Sequence, residues 1–296
     1  MAERRFCRDL CLARGEPVAG LGPSARSYVL LHWPRAQWRV PRFRSHLMPD
    51  FLGKAIQTAN AAGIHVALVD GDHIGFTHEG IIRRSVTAEQ AESLLLHIAD
   101  GGRLDGERDE RVTIICCTDA KQDPCCARYG FATWKALRQA ADPDRFRILQ
   151  STHLGGCRFA ASLLVLPQRA RYGRLEPFEV EDFLGCVGAG VAYLPAYRGN
   201  PLLDAPGQAA EHAALSWAAQ NGVSGEVSFR DVAEPPSRGN SLAYALAVGG
   251  YRLTVTVEQS AFAVNTRCTT IESGGDPAQV MRWIATAVVA DSRETQ

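Results

Sequence analysis

The sequence predicts an α/β protein with more than one folding unit. Short β-branched or apolar runs alternate with amphipathic helical stretches along most of the chain. A polar, glycine-containing segment, "GGRLDGERDE", interrupts that alternation just after residue 100 and marks a boundary. At 296 residues the chain is long enough for two domains, or one large one, with a core that needs no cross-links.

Residues 1–26 read as a loose lead-in with Gly, Pro and Arg. "SYVLLHW" is a strand that Pro34 ends. "MPDFLGKAIQTANAAG" is a helix with Pro49 near its start and Gly63 just past its end. "IHVALVD" suits a buried strand and "GIIRRSV" another. "TAEQAESLLLHIADGG" is a helix whose Thr87 and Gln90 form a capping box and which Gly101 closes. An N-terminal α/β unit therefore spans residues 27–105.

A second unit spans residues 106–204. "RVTIICC" is its first strand, followed by the helix "DPCCARYGFATWKALRQAAD", with Asp123 as N-cap and Pro124 at the first helical position. "RFRILQST", "ASLLVLP" and "RYGRL" are strands, and "EPFEVEDFLGCVGAG" is a closing helix. The order β-α-β-β-β-α resembles a thioredoxin-like layout. The first unit has a similar order, and "RRSVTAEQAESLL" and "GRLEPFEVEDFL" hold matching places, as in a degenerate duplication whose first copy lacks the cysteines. Residues 205–296 read as a further α/β region: a helix "GQAAEHAALSWAAQNG", strands near "GEVSFRDV", "LAYALAV" and "YRLTVTVEQ", and a last helix "DPAQVMRWIATAVVAD".

Composition narrows the function classes. Formal net charge is zero, with 46% hydrophobic and 22% charged residues and no basic stripe interleaved with aromatics. This argues against nucleic acid and against an anionic membrane surface as partners. "MAERRFCRDLCLARGEP" has charges where a secretory leader needs an apolar run, and runs such as "FAASLLVL" are too short to span a bilayer. The expectation is a cytoplasmic protein, where clustered cysteines serve metal or redox chemistry more often than disulfides. An odd count of nine cysteines also fits a fully paired framework poorly.

Four of the nine lie in "CCTDAKQDPCC", and "THLGGC" follows with His153 and Cys157. Cys117 sits at a strand end, and Cys125 and Cys126 in a first helical turn, where exposed N–H groups favour thiolate. The glycines between His153 and Cys157 let both side chains converge on one object. Four such ligands could hold zinc or an iron–sulfur cluster. The eight residues between Cys117 and Cys126 make a wider loop than zinc knuckles use. Cys116, Cys186 and Cys268 read as small core hydrophobes, while Cys7 and Cys11 carry weak signal.

At "CTDAKQDPCCARYG", "STHLGGCRFAASLLVLPQRARYGRL" and "YLPAYRGN" the chain resembles the sucrase/ferredoxin-like family, which includes the fungal actin-patch-distribution proteins. "LARGEPVAGLGPSARSYVLLHWP" extends the likeness, which covers roughly residues 7–215. The resemblance implies a thioredoxin-like ferredoxin domain with a [2Fe–2S] cluster held by two cysteines and a His-x-Gly-Gly-His pair. Its ligand positions fall on Cys117, Cys126 and His153, with Cys157 standing where the second histidine would be. Asp119 also departs from the pattern, at a place where the family often has histidine. Nothing in the residues supports the "sucrase" label, because glycoside hydrolysis needs two placed carboxylates and 32 acidic residues single out none.

The resulting expectation is a [2Fe–2S] electron-transfer protein with Cys117, Cys126, His153 and Cys157 as ligands. Cys125 is the rival to Cys126, Gly155 and Gly156 shape the loop, and Arg158 places positive charge nearby. An electron carrier is favoured over a hydrolase, with a reductase as redox partner. Two alternatives stay open: a structural zinc protein using the same ligands, and a thiol-based redox enzyme with Cys125 or Cys126 as nucleophile.

Overall fold

The computed structural model describes residues 4–230 and 240–293. After a short helix α1 (Cys7–Ala13), the first unit runs β1 (Ser27–His32), α2 (Asp50–Ala61), β2 (Ile64–Val69), β3 (Gly75–His78), β4 (Ile81–Arg83) and α3 (Ala88–Ala99). The Thr87–Gln90 capping box forms as the sequence predicts, with both reciprocal hydrogen bonds present. A two-residue edge strand, β5 (Glu107–Arg108), pairs with β4 inside the segment that marks the boundary.

The second unit runs β6 (Val112–Cys117), α4 (Phe131–Ala140), β7 (Phe146–Ser151), β8 (Leu163–Leu166), β9 (Ala170–Tyr172) and α5 (Val180–Gly188). Strand β10 (Tyr197–Gly199) adds to β9. In this unit β6 lies parallel to β7 and antiparallel to β8, and β8 is antiparallel to β9. The first unit repeats the scheme: β1 parallel to β2, antiparallel to β3, and β3 antiparallel to β4. Both units thus have the strand order of a thioredoxin-like sheet.

The two sheets join edge to edge into ten strands, ordered β10-β9-β8-β6-β7-β2-β1-β3-β4-β5. At the seam, Val69 lies opposite Ser151. Thr152 and Leu68 add an N–H to carbonyl bond of 2.9 Å, and Thr152 Oγ1 accepts from Leu68 N at 3.0 Å. Side chains alternate across the sheet. In β6, Ile114 and Cys116 belong to the core under α4 and α5, whereas Ile115 and Cys117 belong to the opposite face. There they share one core with Tyr28, Leu30, Ala67 and Val69 of the first unit.

The C-terminal region holds α6 (Ala205–Gln220) on an antiparallel sheet of β11 (Ser228–Phe229), β12 (Ser241–Val248), β13 (Tyr251–Val264) and β14 (Ala278–Arg293). Ala209, Ala210, Ala214 and Ala218 let the helix lie close on Leu246, Leu253 and Val255. Asp231 and Val232, part of an expected strand, fall outside the described residues.

Two expectations are corrected. The stretch "DPAQVMRWIATAVVAD" is not a helix: it pairs with β13 from Val264↔Ala278 to Tyr251↔Arg293. That ladder, together with valine and isoleucine spaced for a pleated surface, outweighs the helix propensity of its alanines. The described part of the lead-in is also not loose, since its helix α1 buries Cys7 and Cys11 completely. The tip of the β13–β14 hairpin carries α7 (Cys268–Glu272) back to the second unit. Buried Glu16 braces this arrangement by accepting from Arg158 at 2.8 Å and from Arg282 of β14 at 3.0 Å. Among the described residues no helix is long and apolar enough to cross a membrane.

Candidate metal centre

Cys117 ends β6, and its backbone N–H donates to Ser162 O at 3.0 Å. Pro124 then opens a helix capped by Asp123, whose Oδ1 accepts from Cys125 N at 2.8 Å. Residues Cys126–Gly130 form a π-helical turn before α4 continues. Such turns insert one residue into the spiral and occur often at functional sites. Gly130 lets this turn approach the strand, because a Cβ there would stand 2.0 Å from Cys117 O. Cys126 Sγ is thereby brought beside Cys117 Sγ and a ring nitrogen of His153, all within 4.8 Å of one another.

His153 and Cys157 arrive on the loop after β7. Gly155 (φ +97) and Gly156 (φ +76) both take left-handed backbone, which permits the tight return. His153 Nδ1 lies 4.0 Å from Cys117 Sγ and 3.9 Å from Cys157 Sγ. The structure therefore brings all four expected residues together. It separates Cys125 from them, turning its sulfur the other way, toward Cys7 and Cys268. Cys116 faces the opposite side of the sheet, hydrogen-bonded to Gly130 O, and Cys186 lies on α5, remote from the cluster.

The protonation pattern suits metal binding. The Cys126 thiol beside it holds Cys117 well below the ordinary thiol range, against the effect of burial. Cys157 is lowered to about 6, again chiefly by Cys126, with His153 assisting. Cys126 is correspondingly raised by its hydrogen bonds to the Cys117 and Cys157 sulfurs. Burial alone would push His153 down, but the two thiolates lift it to about 10. In the metal-free protein His153 should stay protonated through pH 8. Its stabilising contribution is then full below pH 6.5 and lost as pH rises through 10. NMR titration of the imidazole checks this, and in Cys117→Ala/Cys157→Ala the ring should become neutral at pH 7.

The sequence did not single out three arginines, Arg171 and Arg198 buried and Arg42 half-buried, that hold the loop carrying His153. Arg42, Arg171 and Arg198 donate to the successive carbonyls of His153, Leu154 and Gly155. Among the described residues none of the three has a carboxylate within ion-pair distance, and Arg171 Nε and Nη1 and Arg198 Nε lack partners. Buried cations need compensating anions, and a site with thiolate ligands supplies them. Arg158, expected to place its charge here, is instead paired with Glu16 at 2.8 Å. A cavity of about 320 Å³ opens beside His153, between Arg42, Phe43, Asp119, Gln122 and Arg267.

The sucrase/ferredoxin-like family matches residues 23–199, more than half of the chain. The chain belongs to that family. A thioredoxin-like [2Fe–2S] ferredoxin from Aquifex aeolicus is similar over 30% of this chain and 90% of its own, at 17% identity and a TM-score of 0.28. A wild-type crystal structure of the Aquifex aeolicus protein at 1.5 Å gives 19% identity over 30% and 96% of the two chains, with a TM-score of 0.27. At such scores, membership rests on the family match and not on these structures. No curated protein matches the chain. As a member of the sucrase/ferredoxin-like family, the protein carries a Cys/His site that could hold a metal.

Proposed function

We propose that this sucrase/ferredoxin-like protein is an intracellular one-electron carrier whose [2Fe–2S] cluster is held by Cys117, Cys126, His153 and Cys157. The observation that carries the proposal is the convergence of three thiols and one imidazole, from two loops at one end of a sheet, in a site walled by carboxylate-free arginines. The donor set fits, since thiolate and imidazole nitrogen are the usual protein ligands of such clusters. When bound, a [2Fe–2S] cluster takes up and gives back a single electron.

The chain's own residues set the terms of that exchange. Cys157, lowered to about 6, is a thiolate near neutral pH, Cys126 holds the Cys117 thiol well below its ordinary range, and Cys126 gives up its own proton on ligation. Arg42, Arg171 and Arg198 fix the loop by its carbonyls, so little rearrangement is needed on loading. Their charges also favour an added electron. His153 Nδ1 lies 4.0 Å from Cys117 Sγ and 3.9 Å from Cys157 Sγ, and Nε2 lies 4.0 Å from Cys157 Sγ; ligation through either ring nitrogen would leave the other to hold a proton. The cavity beside His153 is where a reductase would meet the site.

Voltammetry tests the reading. A reversible one-electron couple is expected above the roughly −400 mV of all-cysteine plant-type clusters, because one ligand is neutral imidazole. As pH rises through the range where the non-ligating ring nitrogen of His153 titrates, the potential should fall by about 59 mV per pH unit. His153→Cys should lower the potential and remove the slope. Absence of any reversible couple in freshly purified protein would rule out the carrier role.

A further inference from the structure

We propose that Cys7, Cys125 and Cys268, with Asp123, form a second, mononuclear zinc site that clamps both ends of the chain onto the ferredoxin-like unit. The three sulfurs form a triangle with edges of 3.5 Å (Cys7–Cys125), 3.3 Å (Cys125–Cys268) and 3.7 Å (Cys268–Cys7). A tetrahedral zinc with Zn–S bonds of about 2.3 Å needs sulfur–sulfur edges of about 3.8 Å. The observed edges are slightly tighter than that, and all are far longer than the ~2.05 Å of a disulfide.

The fourth position is supplied within the chain. A carboxylate oxygen of Asp123 lies within 4.8 Å of all three sulfurs. Its two oxygens accept from Cys125 N and Cys268 N, both at 2.8 Å, which fixes the carboxylate and leaves lone pairs for a metal. The Cys7 N–H donates to Cys268 Sγ at 3.4 Å, the kind of contact that steadies a metal-bound thiolate. All four residues are buried, with each cysteine at 0% exposure and Asp123 at 1%. Three thiols and a carboxylate with no solvent and no disulfide make a poor apolar core, and a closed tetrahedral site accounts for them.

The adjacent cysteines therefore divide their work. Cys126 turns to His153, and Cys125, one residue earlier, turns to Cys7 of α1 and Cys268 of the hairpin tip. No reacting group can enter a site closed by four protein ligands, so its role is structural: it fastens segments 118 and 143 residues away to Cys125.

Metal analysis of the full-length protein tests this independently of the proposed cluster. Purified protein should contain one zinc per chain in addition to any iron. Cys268→Ser and Cys125→Ser should lose the zinc while keeping the iron and its visible absorption, and Cys126→Ser should do the reverse. Cobalt(II) added to zinc-stripped protein should give thiolate-to-cobalt charge-transfer absorption and tetrahedral d–d bands, both lost in Cys7→Ser. Unmodified protein that holds no zinc and gives no such bands overturns the proposal. So does a disulfide between any two of the three cysteines, or loss of iron in Cys268→Ser. Loss of iron confined to Cys126→Ser bears on the cluster alone.

Discussion

Cys117→Ala and Cys126→Ala should each lose essentially all iron and visible absorption, while Cys116→Ala and Cys186→Ala keep both. The contrast between Cys116 and Cys117 is the sharper one, because they are neighbours with equal burial. Pleating alone separates them: Cys117 shares its face of the sheet with Cys126 and Cys157, and Cys116 packs with Leu137 and Phe183 under the helices. Removing one ligand leaves two thiolates and an imidazole that cannot complete a four-ligand set. Removing the Cys116 sulfur costs only the packing of a small buried side chain, about 1 kcal/mol. Iron content of each purified variant, with circular dichroism to show that it folds, decides the matter. Iron retained in Cys126→Ala and lost in Cys125→Ala would mean that the register of the helix start is off by one.

Gly130→Ala should be the most damaging change at this site that removes no ligand. The new methyl would meet Cys117 O at 2.0 Å, a contact with backbone and not with a side chain that can swing away. Either the π-helical turn lifts off β6 or the strand end moves, and both displace Cys126 from Cys117. Overpacking of this kind costs about 3 kcal/mol at the upper end of its usual range. A lowered midpoint in chemical denaturation should accompany loss of iron. A variant with unchanged midpoint and unchanged iron would show that the turn does not need that closeness.

The parts of this architecture that were legible in the sequence are those written locally. Thr87 and Gln90 announce their capping box, Asp123 and Pro124 announce the start of the helix after β6, and alternation within "VTIICC" separates two cysteines by face. The four-residue cluster was legible because its members lie in two short motifs, each beside a strand end. What sequence reading missed depends on partners far along the chain. Cys7 and Cys268 stand 261 residues apart, and nothing near either one indicates the other. Arg42, Arg171 and Arg198 are ordinary arginines until the fold aims them at three successive carbonyls. Strand β14 was misread for the same reason: its alanines suit a helix, and only the ladder with β13 makes it a strand.

Iron and acid-labile sulfide, measured together on protein purified without oxygen, test the central claim most directly. The account predicts about two of each per chain. A single metal ion with no sulfide at Cys117, Cys126, His153 and Cys157 would contradict it, and would make the site a mononuclear one that carries no electron.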